Sequence, residues 1–80
     1  MNRYYYTFGT HEQFPYCRGW VEVLANDWHE SHAKYRAKFP DVNEDIINCA
    51  MFYTEEQFKK TCMWLERDKY KNEKCHEVIE

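Results

Sequence analysis

Side chains over Arg3–Phe8 are expected to alternate in direction as a first strand. Tyr4, Tyr6 and Phe8 share one face of it, and Arg3, Tyr5 and Thr7 the other. Gly9-Thr10 breaks the pattern, and Pro15, which has no N–H to give a ladder, makes His11–Arg18 a loop. Gly19 opens a second strand, Trp20–Ala25, with Val21, Val23 and Ala25 on one face and Trp20, Glu22 and Leu24 on the other. These two strands are expected to pair antiparallel. Asp27 followed by Glu30 reads as a helix start. In that helix Trp28, His32, Tyr35 and Phe39 fall within a sector of roughly 60° at about 100° per residue, which predicts the core stripe. Phe39 before Pro40 resists the helical region and ends it.

A polar linker, residues 40–45, leads to the most continuous apolar run, Ile46–Thr54. Such a run is expected to be a strand covered on both faces, and so the centre of the sheet. Thr54-Glu55-Glu56-Gln57 matches a capping box. The helix it starts is expected to bury Phe58, Cys62 and Leu65, with Trp64 off the stripe, and to end somewhere within 66–74. Cys75–Ile79 reads as a short edge strand. The prediction is one α+β domain over residues 1–80 in the order β-β-α-β-α-β. A three- to four-stranded mixed sheet carries two helices, and the helix between the second strand and the run at 46–54 acts as a right-handed crossover between parallel strands.

Composition sharpens this. Aromatics make up 19% of the 80 residues, so a chain too short for a large aliphatic core must lean on rings. The net charge of −3 gives no basic footprint for nucleic acid. It is unevenly spread: five Lys/Arg against four Asp/Glu in residues 1–40, and six against ten in 41–80. The opening residues carry no apolar signal core and no run approaches membrane-spanning length, so a cytosolic setting with four free cysteines is expected.

Chemical motifs are sparse. His29-Glu30-Ser31-His32 is one residue short of the zinc-protease spacing, and His32 lies on the predicted core stripe. No C-x-x-C pair occurs. His11, Cys17, Cys75 and His76 form a sterically conceivable metal set, and Cys17 with His11 or His76, oriented by Glu12 or Glu77, the only defensible nucleophile and base. Neither has a local signature, and no Gly-rich phosphate loop is present. The reading is therefore of a non-enzyme without metal or cofactor. What remains is the aromatic excess. Tyr4, Tyr6, Phe14, Tyr16 and Trp20, interleaved with His11, Gln13 and Arg18, are expected to form a ligand or partner surface. Rings stack on bases, Arg and Gln meet phosphates or base edges, and the same residue types are enriched at protein interfaces.

The segments Tyr5-Tyr6-Thr7-Phe8-Gly9, Phe14-Pro15-Tyr16, Gly19-Trp20-Val21, Phe39-Pro40, Asn48-Cys49-Ala50-x-Phe52-Tyr53 and Cys75-His76-Glu77-Val78-Ile79 give most of the chain a likeness. It resembles small uncharacterised accessory proteins of bacterial phages, prophages and mobile elements. The resemblance implies counter-defence. One form is a sponge that sequesters a nucleotide-derived signal through the aromatic and Arg surface. The alternative is an anti-CRISPR-like inhibitor that binds a host nuclease or other defence protein directly. It transfers no functional residue. A homodimer through an exposed strand edge is a further expectation.

Overall fold

The computed structural model describes residues 1–69 and 74–80. Seven elements follow in order: β1 (Asn2–Thr7), β2 (Trp20–Ala25), α1 (Trp28–Lys38), β3 (Met51–Thr54), α2 (Glu55–Phe58), α3 (Cys62–Leu65) and β4 (Cys75–Ile79). The four strands form one mixed sheet in the order β3-β1-β2-β4. β1 pairs antiparallel with both β2 and β3, and β4 runs parallel to β2. β3 thus has the same direction as β2, with β1 between them. The α+β class and the element order agree with the sequence pattern. No helix among the described residues is long and apolar enough to cross a membrane.

The sheet is covered on both faces. On one side Tyr4, Tyr6, Phe8, Val21, Val23 and Ala25 pack with Tyr35 of α1. On the other, Tyr5 and Trp20 pack with Phe58 of α2, flanked by Tyr53, Met63 and Trp64. Ring stacking joins the layers: Tyr6 lies on Tyr35 at 4.1 Å between centroids, and Tyr5 on Phe58 at 4.2 Å. Offset aromatic pairs of this kind add stability beyond the area they bury.

Three expectations need correction. The spine is β1–β2, not the run at 46–54. Of that run only Met51–Thr54 is strand, it lies at the edge, and Ile46 is exposed. The continuously buried stretch is instead Tyr4–Phe8, four aromatics and Thr7. The hydroxyl groups of the tyrosines disguise it, because a tyrosine ring buries like a phenylalanine ring once its OH finds a partner.

Second, the helix after Thr54 is two single turns. The Thr54–Gln57 capping box forms as predicted. Thr61 then breaks the helix. Its backbone is extended, and both its hydroxyl (2.7 Å) and its N–H (2.9 Å) donate to the Phe58 carbonyl. A β-branched residue whose side chain bonds the local backbone competes with helix continuation. The restart shifts the phase of the following turn. Trp64 and Met63 turn inward onto Phe58, while Cys62 and Leu65 face solvent. The expected helix end within 66–74 lies partly on 70–73, outside the described residues; α3 itself stops at Leu65.

Third, the α1 stripe holds at His32, Tyr35 and Phe39, which pack on the core, but not at Trp28. Asp27 caps the helix through the Glu30 N–H at 2.8 Å. Tyr35 is buried as expected, but Trp28 is exposed and stacked on His29, and Ser31 is the other buried residue. A serine on the sheet-facing side gives the Tyr6 hydroxyl both room and a partner.

Candidate functional site

The residues expected at the surface separate into two groups. Tyr4, Tyr6 and Trp20 are core residues, exposed by only 7%, 0% and 5%. They offer no free ring face to a ligand, which corrects the expectation of an aromatic platform on the strands. The causes differ by face: Tyr4 and Tyr6 are covered by α1 and Phe52, and Trp20 by α2 and α3. His11, Gln13 and Arg18 are exposed, and Phe14 and Tyr16 half-buried, all on the 9–19 loop.

The Tyr6 hydroxyl meets Ser31 Oγ at 2.5 Å and His32 Nδ1 at 2.8 Å. A neutral His32 pairs with these hydroxyls in either sense: Ser31 donates to Tyr6 and Tyr6 to an unprotonated Nδ1, or Nδ1–H donates to Tyr6 and Tyr6 to Ser31. Burial, then the positive charges of Arg36 and His29, lower the His32 pKa and favour the neutral ring. Burial raises the Tyr6 phenol far above its ordinary value. Such a triad looks like acid–base machinery, but the Tyr6 and Ser31 groups are sealed in the core.

The 9–19 loop is stapled to the sheet at its far end. The β2–β4 register slips between Trp20 and Val21, which pair with Cys75 and Glu77 and leave His76 unpaired. A bulge re-aims a side chain. Here His76 Nε2 donates to the Arg18 carbonyl at 2.7 Å, and the imidazole stacks on Tyr16 at 4.2 Å with 3° between planes. Arg18 and Gly19 both lie in the left-handed region, at φ 62° and 72°. A Cβ on Gly19 would sit 2.4 Å from the Lys74 carbonyl oxygen and 2.5 Å from His76 Nε2, so that position requires glycine. His76 is thereby committed to structure, and it does not meet a thiol as a base would.

Two of the four cysteines have thiols shifted away from reactivity. Burial pushes the Cys49 thiol up to about 12. Cys75 is also raised, by desolvation first and then by the Glu22 carboxylate. A nucleophilic thiol needs the opposite shift. Among the described residues no three His, Cys, Asp or Glu side chains gather as metal ligands.

Two hollows stand out among the described residues. The larger, about 320 Å³, lies among Asn2, Arg3, Tyr4, Thr54, Glu55 and Glu56. Arg3 there faces Glu22 at 3.6 Å and Glu55 at 3.9 Å, so its charge is already answered. The smaller, about 100 Å³, is a cleft between the 9–19 loop and the segment before β3. Gln13 and Phe14 form one wall; Val42, Asn43 and the run Ile46–Cys49 form the other. A tight turn builds the second wall: the Ile46 N–H donates to the Asn43 carbonyl at 3.1 Å, with Asp45 left-handed at φ 63°. Asn and Asp adopt that conformation at least cost among side-chain-bearing residues. The turn holds Val42 and Ile46 out in solvent, 60% and 62% exposed. Sequence reasoning missed both, placing Val42 in a polar linker and Ile46 in a buried strand. The Asn43-Glu44-Asp45 turn signal between two aliphatic residues was the available clue.

Comparison with protein-family models, with curated proteins and with solved structures found no match.

Proposed function

We propose that this chain is a non-catalytic binding protein that inhibits by contact with another protein, through the cleft between the 9–19 loop and the turn at 42–47. The observation that carries this reading is the pair Val42 and Ile46, held exposed by a left-handed turn beside Phe14. An exposed aliphatic pair on a braced turn is pre-organised for docking, and pre-organisation lowers the ordering cost of association. The nucleotide-sponge version draws less support. Its stacking rings Tyr4, Tyr6 and Trp20 are buried, and the cleft, about 100 Å³, is smaller than the roughly 300–1,000 Å³ of small-molecule pockets. The hollow of about 320 Å³ reaches that range, but Glu55 and Glu56 line it and its Arg3 is paired with Glu22 and Glu55. A bacterial defence protein as the target follows from the resemblance to phage accessory proteins.

The test is capture from a bacterial host lysate by the wild type and by a Val42→Asp/Ile46→Asp double variant, with bound proteins identified by mass spectrometry. Both positions are exposed, so the variant is expected to keep its fold. The reading expects a stoichiometric protein held by the wild type and lost by the variant. Identical recoveries would overturn it, as would tight calorimetric binding of a nucleotide by both forms.

A further inference from the structure

Resting on that protein-binding reading, we propose that the cleft receives a cationic, apolar-anchored segment of the partner: a peptide face with an aliphatic residue flanked by Lys or Arg. The cleft wall contains no charged side chain; Phe14, Ile47 and the exposed Val42 and Ile46 supply apolar surface beside the amides of Gln13, Asn43 and Asn48. Its surroundings are acidic. Glu12 immediately precedes the lining residue Gln13, and Glu44 and Asp45 form the tip of the turn between Asn43 and Ile46. All three are exposed, and none makes an ion pair among the described residues. By contrast, Asp41 at the base of the turn is answered by Arg36 at 3.0 Å.

The aliphatic part of the lining and the acidic border ask for different things of one occupant. The aliphatic part favours an apolar side chain, which gains from excluding water. The border repels acidic segments and steers basic ones, which sets the choice of partner and the on-rate more than the affinity. A nucleotide or another anion fails on the second count. A second copy of this chain remains an outcome that mass measurement reads directly.

The experiment is an amide-resolved NMR titration of the intact protein with three synthetic amphipathic peptides of one pattern: Leu/Lys, Leu/Glu and Ser/Lys. The Leu/Lys peptide should saturate, with shifts confined to residues 12–14 and 41–49. Its affinity should exceed that of each control by roughly tenfold or more, about 1.4 kcal/mol. It should weaken as salt rises from about 50 to 300 mM, as exposed charge pairing is screened. A Glu12→Gln/Glu44→Gln/Asp45→Asn variant, in which Asn keeps the left-handed turn, should lose most of that preference. Equal binding of Leu/Glu, shifts away from the cleft, failure of Leu/Lys to saturate, or a concentration-dependent dimer that masks the cleft would each overturn the proposal. If lysate capture still depends on Val42 and Ile46 while Leu/Lys fails, the partner's chemistry is wrong and the protein-binding reading stands. If capture ignores those residues, both fall.

Discussion

At the scale of single residues, the most consequential contact is Tyr6 with Ser31 and His32. The neutral imidazole is part of the folded arrangement, because burial and the nearby positive charges of Arg36 and His29 lower its pKa. A histidine with a depressed folded pKa binds its proton more readily when unfolded. Its contribution is therefore complete above the ordinary value near 6.5 and is lost as pH falls from there toward the depressed folded value. Thermal melting at pH 7.5 and at pH 5 should show a drop for the wild type. In His32→Gln the drop should be smaller, because one source of proton uptake is gone. Equal drops would show that the ring carries no such linkage. The alternation in β1 puts Tyr6 on one face with Tyr4 and Phe8 but does not tell that face from the ligand surface expected of it; the structure buries it. Its partner Ser31 was not legible, since a small polar residue on a helix gives no periodic signal.

At the scale of elements, the 9–19 loop is held by a bulge in β4. Sequence periodicity marks Cys75–Ile79 as a strand but carries no information about where its register slips. That slip aims His76 at the Arg18 carbonyl and at the face of Tyr16. His76→Ala should leave the sheet folded and speed amide hydrogen exchange in the loop by an order of magnitude or more, because a stacked and hydrogen-bonded clamp is worth about 1–2 kcal/mol. Unchanged exchange would mean that the turn holds itself. Gly19→Ala should be more damaging, since its φ of 72° and the backbone oxygen 2.4 Å from a new Cβ leave nothing flexible to move. The same scale explains α2 and α3. Phase arguments run forward only while a helix continues, and Thr61 resets the count.

At the scale of the whole molecule, both faces of the sheet are covered, and this sorts the four cysteines. Cys17 and Cys62 are exposed, Cys75 lies on the edge strand with its thiol raised, and Cys49 packs into the core with its thiol pushed up to about 12. Alkylation of the folded protein at pH 8, followed by mass spectrometry, should modify Cys49 last, at a rate set by opening of the structure. Cys17 or Cys62 should react first. Rapid modification of Cys49 would show that the cover formed by Ile47, Phe52 and α1 is looser than the packing indicates.

By itself, the sequence determined the element order, the facing of β1 and β2, the Asp27 and Thr54 caps, the proline stop after Phe39 and the edge position of β4. Each follows from local chemistry: period, cap donors, missing N–H groups. Tertiary structure alone decided which strand is central, that a second helical layer hides Tyr5 and Trp20, and that Val42 and Ile46 stand in solvent. An apolar side chain carries the same pattern whether a neighbouring layer covers it or a turn lifts it clear. Only the placement of distant segments settles which.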